Sequence, residues 1–494
     1  MRKNMPIFYS ALLLTGVNLL LRLAGTSFHV YISGQIGAVG VGLLQLVMSV
    51  GSLALTAGMA GIRTSSMYLT AEELGHKKEG NVTWVLSGCF TYSILCSGIV
   101  SLALYIAAPY FAENWIGDAR TVGSIRLLAG FLPVSCLSGV MSGYFTAARR
   151  IGTLAAVEVA EQLISITATL LLLSLWAGSD SAKACQAVVL GGGLSGCFTL
   201  CILVILRLKE KQPTGKKIRI GQRLATCAIP LAGADLLKSG ISTTENILVP
   251  KRLALYPGGK DPLATFGTVC GMVFPVLMFP AAILFGLAEL LIPELARCAA
   301  ANSHLRIRYL VRRSLRITML YGLLFGGLMY LLAESLCVRL YGSLEAGFWL
   351  KRFALLIPML YCDAITDAMT KGLGQQRICV RYNIITSTLD VILLFVLLPR
   401  YGMQGYFWSF TLTHAINFVL SLQRLIKTSK VSLTFRPVLL GSLATILAVF
   451  VASALQELFW CCLSCIILLL CLLALGKVVH KEDAIWLISL IRKK

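Results

Sequence analysis

About fourteen apolar runs follow one another along the chain, each close to the roughly 20 residues that a helix needs to cross the hydrocarbon of a bilayer. They place membrane-crossing helices near residues 7–30, 38–62, 82–108, 124–147, 153–177, 184–206, 222–249 and 263–291. Six more fall near 314–333, 346–370, 380–399, 404–426, 435–455 and 457–476. A bilayer core offers no water to backbone N–H and C=O groups, so a run that enters it must close its hydrogen bonds internally, as a helix does. The expected fold class is an all-α polytopic membrane protein with about 14 transmembrane helices.

Composition points the same way. Of 494 residues, 57% are hydrophobic and 13% charged, about half the charge of a typical soluble domain. So few charges cannot coat a water-facing surface. The net charge of +22 is not spread as a nucleic-acid footprint. It gathers in short clusters between apolar runs, such as RLKEKQPTGKKIRIGQR (207–223) and RIRYLVRRSLR (306–316). That is the pattern of cytoplasmic loops under the positive-inside rule. With the amino terminus inside, most of the 44 Lys and Arg residues fall in cytoplasmic segments. The expectation is a multi-pass protein of the cytoplasmic membrane with both termini cytoplasmic. The opening MRKN and its apolar stretch look like a secretory signal but lack a clean small-residue cleavage site, so they read as the first helix. The closing EDAIWLISLIRKK is too short and too basic to span, and reads as an interfacial helix.

Motifs that would announce other chemistry are missing. The 16 cysteines lie mostly inside apolar runs, as in CCLSC (461–465), where they act as small apolar fillers. The five histidines are scattered, so neither a metal site nor a cofactor is expected. There is no GxxxxGK[ST] phosphate loop to make ATP the direct energy source, no HExxH and no GxSxG. No loop is long enough to hold a catalytic domain. An enzyme is not expected.

The chain repeats itself faintly. GMAGIRTSSMYLTAE (58–72) aligns with GLAELLIPELARCAA (286–300), and IGAVGVGLLQL (36–46) with LATFGTVCGMV (263–273). Arg126 and Pro133 match Lys351 and Pro358, and Arg150-Ile151 match Arg377-Ile378, all at offsets of 225 to 228 residues. Six spans fit in that offset, an even number, so the two halves enter the membrane in the same direction as parallel repeats. The expected division is a six-helix lobe over 1–210, a second over 211–430, two additional helices over 431–476 and a cytoplasmic interfacial tail over 477–494.

Several segments carry a family resemblance. They are NLLLRLAG (18–25), QIGAVGVGLLQL (35–46), GYFTAARRIGTLAAVEVAEQL (143–163), PLAGADLLKSGISTTENILV (230–249) and PAAILFGLAELLIPELA (280–296). In order and spacing, from about residue 7 to 425, the chain resembles the multidrug/oligosaccharidyl-lipid/polysaccharide flippase superfamily, and within it the stage V sporulation protein B branch. The resemblance implies a fourteen-helix fold that moves undecaprenyl-linked glycans, such as a peptidoglycan precursor, across the cytoplasmic membrane during cell-wall or polysaccharide biosynthesis. It also puts Glu161 and Glu245 on acidic positions of the family.

A charge inside a span costs about 2.5–3.5 kcal/mol on insertion scales, so each needs a reason. Arg22 lies midway along the first helix. It reads as a cation for the pyrophosphate of a lipid-linked oligosaccharide, because a guanidinium offers phosphate a planar fork of donors. The alternative is an arginine that pairs with an acid to hold two helices together. Asp235 and Lys238 are three residues apart on helix 7, placed either to neutralise each other or to separate when a charged substrate arrives. Glu245, nearer the outer end, has no partner on its own helix. Arg22, Asp235, Lys238 and Glu245 are the candidate substrate-binding residues.

Asp363 and Asp367 sit one turn apart beyond Pro358, where two like charges repel unless they share a proton or a cation. With Glu161 they are the candidate ion-coupling residues, for protons or sodium. Glu158 reads as facing Arg149 and Arg150, and Arg63 and Arg126 as snorkelling from span ends. Pro230, Pro275, Pro280 and Pro358 are expected to interrupt helices 7, 8 and 10, and Pro293 to mark a helix end.

A lipid-linked glycan flippase is the first reading. A cation-coupled multidrug exporter of the same superfamily is the second; it needs an acid in the amino-terminal lobe, whereas helix 1 offers Arg22 and His29. A membrane polysaccharide polymerase or ligase is the third, and the missing loops count against it.

Overall fold

A computed structural model describes residues 7–75, 80–148, 150–177, 180–210, 220–258, 261–432, 436–453, 463–469 and 471. Among them every regular element is a helix. The chain divides into two compact units, Met1–Gly267 and Thr268–Lys494.

The first unit opens on α1 (Ile7–Met59), 53 residues that would run about 80 Å if straight. It is not straight. Gly37 has φ 70° and ψ 175°, a backbone region open essentially to glycine alone. Eight residues either side of it, His29 Nε2 and Gln45 Nε2 lie 3.2 Å apart. Along an unbroken helix, sixteen residues would separate them by about 24 Å. The chain therefore turns back at Gly37, and the two spans expected at 7–30 and 38–62 are joined by one residue rather than by a loop.

A second break at Ala60 and Gly61, both at positive φ, leads into α2 (Ile62–Gly75). Next come α3 (Asn81–Tyr110), α4 (Val122–Ala147), α5 (Ile151–Leu172), α6 (Ser181–Leu208), α7 (Gly221–Leu253) and the short α8 (Pro262–Phe266). Helices α2, α3, α4, α6 and α7 share one apolar core, with Ile62, Leu69, Val85, Phe145, Leu203 and Ala228 buried in it. Helix α7 thus packs within the first unit: packing divides the chain at 267, whereas the division expected from the internal repeat falls at 210.

Gly143 in the Gly-Tyr-Phe segment shows what a glycine does there. A Cβ at this position would lie 2.5 Å from the Arg63 carbonyl oxygen and 3.1 Å from the Met67 amide nitrogen. Nearby, Ser66 Oγ donates to the Val140 carbonyl at 3.0 Å, closing the α2–α4 contact. The obstacle is backbone, which cannot swing aside. Gly143→Val should destabilise the protein by about 3 kcal/mol, read as a lowered thermal unfolding temperature in detergent; an unshifted transition would contradict the close approach.

Charged staples close one end of this unit. Glu210 accepts the Tyr144 hydroxyl at 2.6 Å and pairs with Arg150 and, at 3.2 Å, with Arg207. Arg223 spans Glu72 at 2.8 Å and Glu73 at 2.9 Å, and Asn81 also donates to Glu73 at 2.9 Å. Arg126 lies 5.1 Å from the centre of the Tyr105 ring.

The second unit holds α9 (Phe274–Met278), α10 (Ala281–Ala300), α11 (His304–Tyr341), α12 (Leu344–Ala354), α13 (Ile357–Gly372), α14 (Gln376–Tyr401), α15 (Met403–Ser429) and α16 (Arg436–Ala452). Two expected spans are bent. The 263–291 run turns by 62° between Pro262–Met278 and Ala281–Ala288, and the 346–370 run by 58° between α12 and α13. Pro280 and Pro358 stand at these bends, each lacking the amide that would continue the ladder. Two proline expectations are corrected. Helix α7 runs unbroken through Pro230, and α10 continues past Pro293 to Ala300. A proline forfeits one helical bond, and packing along the rest of a long helix outweighs that loss.

Eight described helices are long and apolar enough to cross a membrane, and ten if each bent pair is one span, with the α1 hairpin counted once. Most of the 457–476 run and the whole 477–494 tail lie outside the described residues. The chain is an all-α, multi-pass membrane protein.

Candidate functional site

Each unit contains a cavity that gathers charged residues singled out above. In the first unit a cavity of about 480 Å3 lies along the seam of α1 and α7. Helix α1 presents Gln45, Ser49, Ser52 and Thr56, and α7 presents Asp235, Lys238, Ser242 and Asn246. On both helices these positions recur every three or four residues, so each helix turns one polar stripe toward the other.

Where the stripes touch they are bonded. Asn246 Nδ2 donates to Ser49 Oγ at 3.0 Å, and Thr243 Oγ1 to the Ser49 carbonyl at 3.2 Å. Ser49 Oγ donates to the Gln45 carbonyl at 2.8 Å. Gln45 in turn meets His29, whose Nδ1 lies 3.3 Å from Ser33 Oγ. A chain of polar groups therefore links α7, through Ser49 and Gln45, to the first arm of the α1 hairpin. His29, Gln45, Ser49 and Asn246 are residues that sequence reasoning did not select for this site. The signal was present as polar residues at helical spacing in two otherwise apolar spans.

Farther along the seam the stripes separate and the cavity opens. Asp235 and Lys238 are exposed there, and among the described residues neither has an ion-pair or hydrogen-bond partner. The self-neutralised couple that the three-residue spacing permits does not form. The cavity offers one cation, one carboxylate and a row of hydroxyls and amides. That set can bind a molecule with anionic and polyhydroxylated parts.

The other candidates of this unit are placed less fully. Arg22 lies on α1, but its side chain is outside the described residues. Glu245 is half-buried on α7, away from the cavity lining, and makes a contact of its own. Glu158 and Glu161 are half-buried on α5, and Arg149 lies outside the described residues.

In the second unit α9, α10, α13 and α15 enclose a cavity of about 340 Å3 with aromatic and aliphatic walls, among them Phe274, Phe285, Tyr361 and Phe410. Asp363 and His414 are the acidic and basic residues of its lining. Asn417 Nδ2 donates to both Asp363 oxygens, at 3.2 and 3.1 Å. Asp367 instead pairs with Lys371 at 2.6 Å. The two carboxylates thus have separate partners, and Asp363 alone reaches the cavity. Glu161, grouped with them from sequence, belongs to the other unit.

Behind this cavity lies a carboxylate that sequence reasoning missed. Asp390 on α14 is buried, and accepts the Ser409 hydroxyl at 2.7 Å and the Thr413 hydroxyl at 3.1 Å. Ser409, Thr413, Asn417 and Ser421 recur every four residues on α15, all buried. That stripe is the signal that could have found the site.

The chain is similar to several known proteins in sequence or in fold. The profile of the polysaccharide biosynthesis protein family matches residues 8–242. Stage V sporulation protein B of Bacillus subtilis (strain 168) is 22% identical over 466 residues, covering 90% of this chain and 88% of that protein. Sporulation protein YkvU of the same organism is 21% identical over 392 residues, covering 76% and 84%. Among solved structures, the lipid II flippase MurJ in an inward closed conformation aligns over 96% of this chain and 99% of its own, with TM-score 0.70 and 13% identity. An inward-facing multidrug resistance MATE transporter of the MOP superfamily aligns over 85% and 100%, with TM-score 0.66 and 13% identity. At such identities these structures establish a shared fold.

Proposed function

We propose that this chain, a member of the multidrug/oligosaccharidyl-lipid/polysaccharide flippase superfamily, is a flippase that carries an undecaprenyl-linked glycan across the cytoplasmic membrane by alternating access. The supporting observation is the α1–α7 cavity lined by Lys238 and Asp235, neither of which has a partner among the described residues. Lys238 supplies a cation for the pyrophosphate, with Arg22 as a second cation from the first arm of α1. Asp235 and the hydroxyl and amide stripe accept and donate to sugar hydroxyls. We read this set as a transport site rather than a catalytic one, in keeping with the flippase and transporter structures that share the fold. The relatives named for sporulation and for lipid II make a peptidoglycan precursor the first substrate to try.

The direct test places the purified chain in vesicles with fluorescent undecaprenyl-pyrophosphate glycans on one leaflet and follows their appearance on the other. Translocation of the glycan lipid, with none of a cationic dye, is the expected result. The reverse would favour a cation-coupled exporter, a reading that the aromatic cavity holding Asp363 supports. In either case Asp363 is our proposed site for the driving ion, with Asp367 and Glu161 in supporting positions.

Topology is part of the proposal: fourteen spans with both termini cytoplasmic. A reporter fused after Lys211 should be active in the cytoplasm and one at Gly258 outside it. A cytoplasmic Gly258 would overturn both the span count and the parallel repeat.

A further inference from the structure

The basic run at 306–316 opens α11 and has no part in the transport reading. Leu305, Arg308, Tyr309 and Arg312 fall at three- and four-residue spacing, hence on one face. All four are exposed, Leu305 at 78% and Tyr309 at 49%. Leucine and tyrosine standing beside two guanidiniums make a face that is apolar and cationic at once. Water is a poor solvent for that combination, and the headgroup boundary of a bilayer is a good one.

Of these cations Arg312 is held in place. Arg312 Nη2 donates to both the carbonyl and the hydroxyl of Ser432, each at 2.9 Å, tying the start of α11 to the segment that follows α15. Two residues before Ser432, exposed Lys430 caps α15 in a left-handed conformation (φ 52°), its amide bonded to the Ile426 carbonyl at 2.8 Å. Among the described residues no carboxylate pairs with Arg308 or Arg312. Glu294 on the adjoining α10 is taken by Arg306 at 2.5 Å and Arg297 at 3.5 Å. Arg313 turns inward, where its guanidinium meets the Tyr309 hydroxyl and ring. Among the described residues Arg308 has no partner, and the bonds of Arg312 go to neutral oxygens.

We propose that this face is a binding site for an anionic phospholipid. Its phosphate is held by Arg308 and Arg312, with Lys430 alongside, and its first acyl carbons lie against Leu305 and Tyr309. Guanidiniums one turn apart present parallel donors to phosphate oxygens. The apolar pair separates a lipid from a free phosphate, which would gain nothing from it. The inference uses only the entry of α11 into the bilayer, so it stands whether or not the chain moves a glycan.

Native mass spectrometry of the full chain in detergent tests it, with phosphatidylglycerol and phosphatidylcholine of equal acyl chains titrated separately. One phosphatidylglycerol should bind about tenfold more tightly than phosphatidylcholine, as expected for two or three interfacial cations. The double substitution R308Q/R312Q should remove that preference, and R308K/R312K should keep part of it if the glutamine pair folds poorly. Lys209→Gln, an exposed cation in the other unit, should leave it intact. Equal binding of the two lipids, or a preference that survives R308Q/R312Q, overturns the site. Displacement of the lipid by millimolar inorganic phosphate would also overturn it, by showing an anion site that does not use the acyl chain.

Discussion

Lys238→Glu should stop glycan translocation while leaving the protein folded. The lysine stands exposed in the α1–α7 cavity with no partner among the described residues, so its removal breaks no structural contact. Substitutions at such positions usually change stability by no more than about 0.5 kcal/mol. A charge-assisted bond to phosphate is worth about 1.5–3 kcal/mol, and a glutamate adds repulsion from both the pyrophosphate and Asp235 one turn away. Translocation should fall at least about 100-fold, and Lys238→Gln should cost about tenfold. Thermal unfolding and transport measured on the same preparation separate the two readings of this residue. A stable Lys238→Glu protein that transports at the normal rate removes the cavity from the substrate path.

Asp363 and Asp367 should behave differently, although they look equivalent in sequence. Asp363→Asn preserves volume and can still meet Asn417, but it removes the charge that lines the aromatic cavity. Transport by this variant should lose its dependence on a proton or sodium gradient while substrate binding persists. Asp367→Asn breaks a pair with Lys371, whose side chain is 37% exposed. Pairs at that exposure contribute about 1 kcal/mol or less, so gradient dependence should stay within about twofold of normal. Gradient response measured in vesicles for each single variant decides the matter. Equal effects of the two substitutions would mean that the carboxylates act as a pair and that the separate partners seen here do not govern coupling. Asp363→Leu is the harsher control: it leaves the Asn417 amide without its acceptor, at a cost of about 1–3 kcal/mol.

What the amino-acid sequence determined by itself is the part of the structure that solvent dictates locally. A bilayer admits only chain whose backbone bonds close within the segment, so run length and apolarity were enough to mark the long apolar helices near their observed positions, but not the polar α2 or the basic first turns of α11. The costly charges inside those runs were legible for the same reason, and Asp235, Lys238 and Asp363 do line cavities. Tertiary structure alone decided which of them meet. Three-residue spacing allowed Asp235 and Lys238 to pair, yet they stand apart; one-turn spacing allowed Asp363 and Asp367 to share an ion, yet Asn417 and Lys371 take one each. His29 reaches Gln45 only because Gly37 folds the first helix back on itself. Asp390 is tolerable in the interior only because α15 brings Ser409 and Thr413 to it. Spacing along one helix fixes which face a side chain occupies, and it made the Asp367–Lys371 pair possible within α13, but Asp363 and Ser49 take their partners, Asn417 and Asn246, from other helices. That pairing is set by how whole surfaces pack, and a local reading of the chain does not contain it.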